Sequence, residues 1–182
     1  MICAEKSFAL KNGKSGILRS PREEDAQALL DYLKTTYGET PYLLREPDEV
    51  ISGIEQERAF ILASNEEPRS VMLLAEVEGQ LAGLCSLRPV ANVRRCRHRC
   101  DVAIALYRAF CGMGLGRRML EELLCAAKEL GYEQAELEVM EGNEAAIALY
   151  TKLGFEACGK RPNATKYADG SYTDEFLMVK RL

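Results

Sequence analysis

The stretch Cys111-Gly112-Met113-Gly114-Leu115-Gly116-Arg117 decides how this chain is read, because it separates an apolar run, Val102 to Tyr107, from a segment of helical periodicity. Three glycines within five residues let a backbone come close to a ligand. The start of the helix that follows offers unpaired N–H groups and a partial positive charge. Strand, glycine loop and helix in that order make a phosphate cradle, whereas a tight turn alone needs only one or two glycines. Two other phosphate-binding patterns fail on spacing. A dinucleotide fingerprint requires glycine at 117, which is Arg, and a P-loop ending in Gly13-Lys14-Ser15 requires glycine at 8, which is Phe.

Outward from the loop, Met119, Leu120, Leu123, Leu124 and Ala127 form one apolar face, which predicts a helix over 116–130 stopped by Gly131. Asp101 to Tyr107 reads as a buried strand. Gln134 to Met140 alternates Ala135, Leu137 and Val139 against Glu136 and Glu138, the period of another strand. Asn143 is placed to cap a helix whose inner face is Ala146, Leu149, Tyr150 and Leu153, with Gly154 as its stop. Towards the N-terminus, residues 16–20 predict a strand, and Ser20-Pro21-Arg22-Glu23 predicts a capped helix start with Ala26, Leu29, Leu30, Leu33 and Tyr37 inward. A second helix is expected over 47–63 with Val50, Ile51, Ile54 and Phe60 inward. Glu78-Gly79-Gln80 predicts a hairpin with arms over 71–77 and 81–88, and Asp169-Gly170 joins two tail strands. The order is that of one mixed α/β domain.

Composition bounds the function. The 182 residues, 47% hydrophobic and 29% charged, suffice for one sizeable core. With 24 basic against 28 acidic side chains the net charge is −4, so no global field holds a polyanion or an anionic membrane. The longest apolar runs reach five or six residues, far short of the ~20 that span a bilayer. The start, Met1-Ile-Cys-Ala-Glu-Lys, lacks the pattern of a signal peptide, and seven cysteines without a disulfide-like framework suit a reducing cytoplasm, which is the expected location.

The loop, together with Asn143-Glu-Ala-Ala-Ile-Ala-Leu-Tyr150-Thr-Lys-Leu-Gly154-Phe155, closely resembles the GNAT superfamily of acetyl-CoA-dependent N-acetyltransferases. The family's loop reads Arg/Gln-x-x-Gly-x-Gly/Ala and its later helix Asn-x-x-Ala-x-x-Leu-Tyr-x-x-x-Gly-Phe. The loop glycines fall on Gly114 and Gly116, and Cys111 departs from the usual Arg or Gln, with Arg117 or Arg118 expected to compensate. The order of elements matches across residues 16–182, leaving 1–15 as an N-terminal segment. The resemblance implies a mixed, mostly antiparallel central sheet of six to seven strands flanked by about four helices.

It also implies roles. Acetyl-CoA is the expected cosubstrate, with no metal, and Ile104, Ala105, Leu106, Cys111, Gly112, Met113, Gly114, Leu115, Gly116, Arg117, Asn143 and Tyr150 would bind it. Leu106 would donate its N–H to the oxyanion, and Tyr150 would protonate the leaving thiolate. Asp101, with His98 three residues earlier as in relatives that acetylate phosphinothricin, would be the base; Glu136 and Glu138 are weaker candidates. The expected acceptor is a primary amine of an amino acid or related small molecule, attacking directly in a ternary complex. A protein N-terminal or lysine acetyltransferase and a non-catalytic acyl-CoA sensor are the alternatives. The partner is therefore a small amine or a peptide, not a membrane; nucleic acid is not expected, although Arg94 to Arg99 would suit RNA, and a homodimer stays open. Cys96, His98 and Cys100 would lie on one strand face in steps of 6 to 7 Å, too far apart for one zinc ion. Cys111, beside a helix start, is expected to have a lowered thiol pKa.

Overall fold

A computed structural model describes residues 1–182. Eight strands form one sheet: β1 (Lys6–Ala9), β2 (Ser15–Arg19), β3 (Val71–Val77), β4 (Gln80–Pro89), β5 (Arg99–Leu106), β6 (Gln134–Met140), β7 (Glu156–Lys166) and β8 (Tyr172–Arg181). Their spatial order is β1-β2-β3-β4-β5-β6-β8-β7, and every neighbouring pair is antiparallel except β5 and β6. Four helices cover the sheet: α1 (Ala26–Glu39), α2 (Ile54–Glu66), α3 (Leu115–Glu129) and α4 (Glu144–Lys152). The α/β class and the helix number agree with expectation. The eighth strand is β1, which lies within residues 1–15, pairs with β2, and leads to the buried Leu10.

The two faces of the sheet are filled unequally. The larger core packs α3 against the sheet through Leu115, Met119, Leu120, Leu123 and Ala127, each with no exposed surface. This is the stripe that the 3.6-residue period requires. The smaller core, on the opposite face, joins Ala26, Leu29 and Tyr32 of α1 and Ile61 of α2 to Met72 and Leu74 of β3. No helix is long and apolar enough to cross a membrane.

Two local readings are corrected. Ser20 does not cap a helix: its hydroxyl accepts the Cys3 N–H at 2.9 Å, and α1 begins at Ala26 after a single 3-10 turn, Glu23–Asp25. In the second helical segment the inward residues are Val50, Glu57 and Ile61, whereas Ile51 is 87% and Phe60 56% exposed. The helix starts at Ile54, not 47, because Pro47–Glu49 forms a separate 3-10 turn, and this changes which residues face the core.

A buried ionic cluster ties α1 to the sheet. Arg19, at the end of β2, donates to Asp25 at 2.6 and 2.8 Å and through Nε to Glu76 at 2.9 Å. Burial pushes the Asp25 carboxyl up, but bonds from Arg19 and from the Arg22 N–H outweigh it and hold the group below the ordinary range. A group depressed in this way contributes stability above its ordinary pKa near 3.9 and loses it as pH falls through the folded value. Asp25→Asn is expected to cost about 2 kcal/mol at pH 7 by urea unfolding. The gap to wild type should narrow below about pH 4. A gap unchanged at pH 2.5 would contradict the assignment.

Candidate active site

The site forms where β5 and β6 part. These parallel strands are paired only from Arg99↔Gln134 to Asp101↔Glu136, after which β5 runs on to Leu106 without a neighbour on that side. On its other side β5 stays paired with β4, and Tyr107 N–H bonds Ala82 O at 3.0 Å. Because successive strand residues point their N–H groups to opposite sides, those of Ile104 and Leu106 face the open notch. The C=O of Ala105 is taken by the Tyr32 hydroxyl at 2.6 Å, which ties the strand end to α1.

The glycine loop closes the other end of the notch. Gly112 (φ +76°) and Gly114 (φ +85°) have left-handed backbones, and Gly114 is the residue from which α3 starts. No backbone or side-chain acceptor within the protein takes the N–H of any residue from Gly112 to Arg117; the first bond of the helix is Arg118 N–H to Gly114 O at 3.1 Å. Six successive free donors at the positive end of a 15-residue helix form an oxyanion cradle. A Cβ on Gly116 would lie 3.3 Å from Leu149 Cδ2 and 3.4 Å from Leu106 Cδ1, so loop, strand end and α4 converge there.

Asn143 caps α4, its Oδ1 accepting the Ala146 N–H at 3.3 Å, and so fixes the helix that carries Tyr150. Tyr150 is 8% exposed and packs edge-to-face on Phe155 with ring centroids 5.9 Å apart. Burial pushes its phenol pKa up to about 12, so the hydroxyl stays protonated at neutral pH. Cys111 departs from expectation: burial first and then Glu39 raise its thiol pKa, and Arg108 does not offset them.

The α1–α2 face beside the notch is acidic. By strand alternation and register Asp101, Glu136, Glu138 and Glu175 share it. Each is held by an arginine: Arg88 on Asp101 at 3.1 Å, Arg99 on Glu136, and Arg161 on Glu138 at 2.9 Å and on Glu175. Burial, only partly offset by Arg88, raises the Asp101 pKa. Asp101 nevertheless stands five residues, about 16 Å along the strand, from Leu106. Glu138 lies two residues nearer the open end. No group of three or more His, Cys, Asp or Glu side chains is arranged to hold a metal ion; Cys96 ends a 3-10 turn, Arg94–Cys96, and His98 precedes β5, so neither lies on a continuous strand with Cys100. The loop between α1 and α2 crosses the same mouth. Tyr42 Oη donates to Gly142 O at 2.9 Å, and Tyr167 Oη to Pro41 O at 3.3 Å. These tyrosines carry no motif, and only the predicted tail hairpin hinted at Tyr167.

Strand notch, free N–H row and tyrosine-bearing helix together fit the acyl-CoA site of an acyltransferase. The sequence profile of the acetyltransferase (GNAT) family matches residues 26–155, and the chain belongs to that family. Its fold matches a GNAT acetyltransferase from Streptococcus pneumoniae with a TM-score of 0.87 at 27% identity, over 92% of this chain and 99% of that one. A ribosomal-protein-alanine N-acetyltransferase from Brucella melitensis gives 0.80 at 28% identity, over 91% and 99%. In sequence, an N-alpha-acetyltransferase of Sulfurisphaera tokodaii is 29% identical over 133 residues, 68% of this chain and 76% of that protein. An uncharacterized Mycobacterium leprae protein is 47% identical over 75 residues; the match spans 41% of this chain and only 19% of that protein's length. The protein is accordingly an acyltransferase, and the free N–H row and notch fit the acetyl-CoA that the family uses.

Proposed function

We propose that this enzyme acetylates a primary amine by direct attack on acetyl-CoA within a ternary complex, and that the acceptor is the α-amine of a peptide N-terminus. The free N–H groups from Gly112 to Arg117 carry the first part of this reading. Loop residues Cys111 to Arg117 would hold the pyrophosphate, and Ile104, Ala105 and Leu106 would line the pantetheine arm. Bound there, acetyl-CoA supplies a thioester carbonyl. The Leu106 N–H points into the notch where that oxygen gains charge, and one such fixed donor contributes ~3 kcal/mol. Tyr150 offers a protonated hydroxyl to the departing sulfur.

The acceptor follows from charge. The acidic face attracts an ammonium group, while the arginines on it are already bonded to carboxylates. A free amino acid would bring its own carboxylate to a face whose arginines, Arg88, Arg99 and Arg161, are already engaged. A peptide N-terminus brings none. The names of the Sulfurisphaera tokodaii and Brucella melitensis relatives point the same way. The amino-acid reading rests on the spacing of His98 and Asp101 and is the second candidate. An amine panel with thiol release as readout separates them: peptides and amino amides should react at least tenfold faster than the matching free amino acids, and the reverse order would favour the second. CoA binding without turnover on any amine would instead indicate a sensor.

An α-amine near pKa 8 loses its proton at pH 7 for about 1.4 kcal/mol, so a water-linked carboxylate suffices. Asp101 remains a candidate, acting through water, with Glu138 nearer. Asp101→Asn is expected to lower kcat/KM about threefold and Glu138→Gln at least tenfold. A larger loss for Asp101→Asn than for Glu138→Gln would return the role to Asp101.

A further inference from the structure

Arg117 and Arg118, the side chains expected to replace the arginine that Cys111 lacks, are both engaged. Arg117 Nε bonds Glu121 at 2.8 Å, and Arg118 bonds Glu122 at 3.2 Å. A cation reaches the loop from a different part of the chain. The turn between β1 and β2, residues 10–14, folds onto it, and Asn12 Nδ2 donates to Met113 Sδ at 3.4 Å. The side chain of Lys11 lies over Gly114, where a Cβ would meet its Cε at 3.7 Å and its Cδ and Cγ at 4.0 Å. Lys11 forms no ion pair with any carboxylate. Its turn is fixed by the buried Leu10 and by bonds of Leu10 N–H to Lys14 O at 2.8 Å and Gly13 N–H to Leu10 O at 3.0 Å.

This placement is electrostatically adverse as it stands. An ammonium beside the start of α3 is set against the positive end of the helix, where a carboxylate is the favoured neighbour. The sign reverses once an anion lies on the free N–H row, because lysine and helix then both attract it. We propose that Lys11 is a cofactor-binding residue that clamps a phosphate of CoA onto the glycine loop, supplying from the β1–β2 turn the cation that position 111 lacks. The proposal rests on the loop being the acetyl-CoA site.

Calorimetric titration of CoA into wild type, Lys11→Ala and Lys11→Arg, at several salt concentrations, tests it without any turnover. Pantetheine, which carries no phosphate, serves as the second ligand. Lys11→Ala should weaken CoA about tenfold, with Lys11→Arg within threefold of wild type. The difference should shrink as salt rises, and pantetheine should bind all three alike. Lys11 is exposed in a turn, so equal melting temperatures are expected and check the fold. Equal CoA affinity in wild type and Lys11→Ala, or an equal loss of pantetheine, overturns the clamp while leaving the loop assignment intact. A wild type that binds no CoA at all overturns the loop assignment itself.

Discussion

Replacing Tyr150 by phenylalanine is expected to lower kcat by about 10² while leaving the KM for acetyl-CoA within a few-fold of wild type. The substitution removes only a hydroxyl from a ring packed on Phe155, so the fold should persist. With the phenol pKa at about 12, complete proton transfer to a thiolate of ordinary pKa near 8.5 runs uphill by about 5 kcal/mol. The hydroxyl therefore acts chiefly as a hydrogen-bond donor to the sulfur as charge grows on it. The pH dependence follows in sign: a phenol held protonated to about pH 12 cannot produce an alkaline limb below pH 10, so the variant should be slow with its limbs unmoved. Wild-type speed in the variant would remove Tyr150 from the mechanism, and a limb that vanished with the hydroxyl would reverse the argument about its protonation.

Gly114→Val should weaken CoA by about 10² or more. At φ +85° a β-branched residue is strained by roughly 1–3 kcal/mol, and its side chain would grow towards Lys11, whose Cε lies 3.7 Å from the Cβ position. A loop that relaxes to a right-handed conformation turns its donors away from the ligand. The KM for acetyl-CoA should therefore rise far more than kcat falls. An unchanged KM would mean that the pyrophosphate lies elsewhere.

How much of this was legible in the sequence varied with how local the cause is. The stripe Met119, Leu120, Leu123, Leu124 and Ala127 placed α3 within a residue at each end, because burial and period coincide in one continuous segment. The hairpin turns at Glu78-Gly79 and Asp169-Gly170 were equally plain. β1 escaped because Lys6-Ser-Phe-Ala is short and has no fully buried residue; its pairing with β2 comes from the register of the sheet, not from its own pattern. Ser20 misled because a hydroxyl suited to a helix cap was instead needed by the Cys3 N–H. In the site, strand, loop and helix could be placed from glycine spacing and the helix motif. Lys11 could not, because one lysine in a polar turn carries no signal until the fold lays it across Gly114.

The two tyrosine bonds at the mouth of the notch bear on how this enzyme can change. Its donor half is built mainly from one continuous stretch, residues 104–118, joined by Tyr150 of α4 and by one lysine from the β1–β2 turn. Its acceptor half joins segments far apart in sequence: Tyr42 reaches Gly142 across 100 positions, and Tyr167 reaches Pro41 across 126. Walls held together by a few hydroxyl contacts between loops can be rebuilt by insertion or substitution without disturbing the backbone that grips the nucleotide. Selection for a new amine thus acts on one set of residues and selection for acetyl-CoA on another, so the chain can exchange customers while keeping the same supplier.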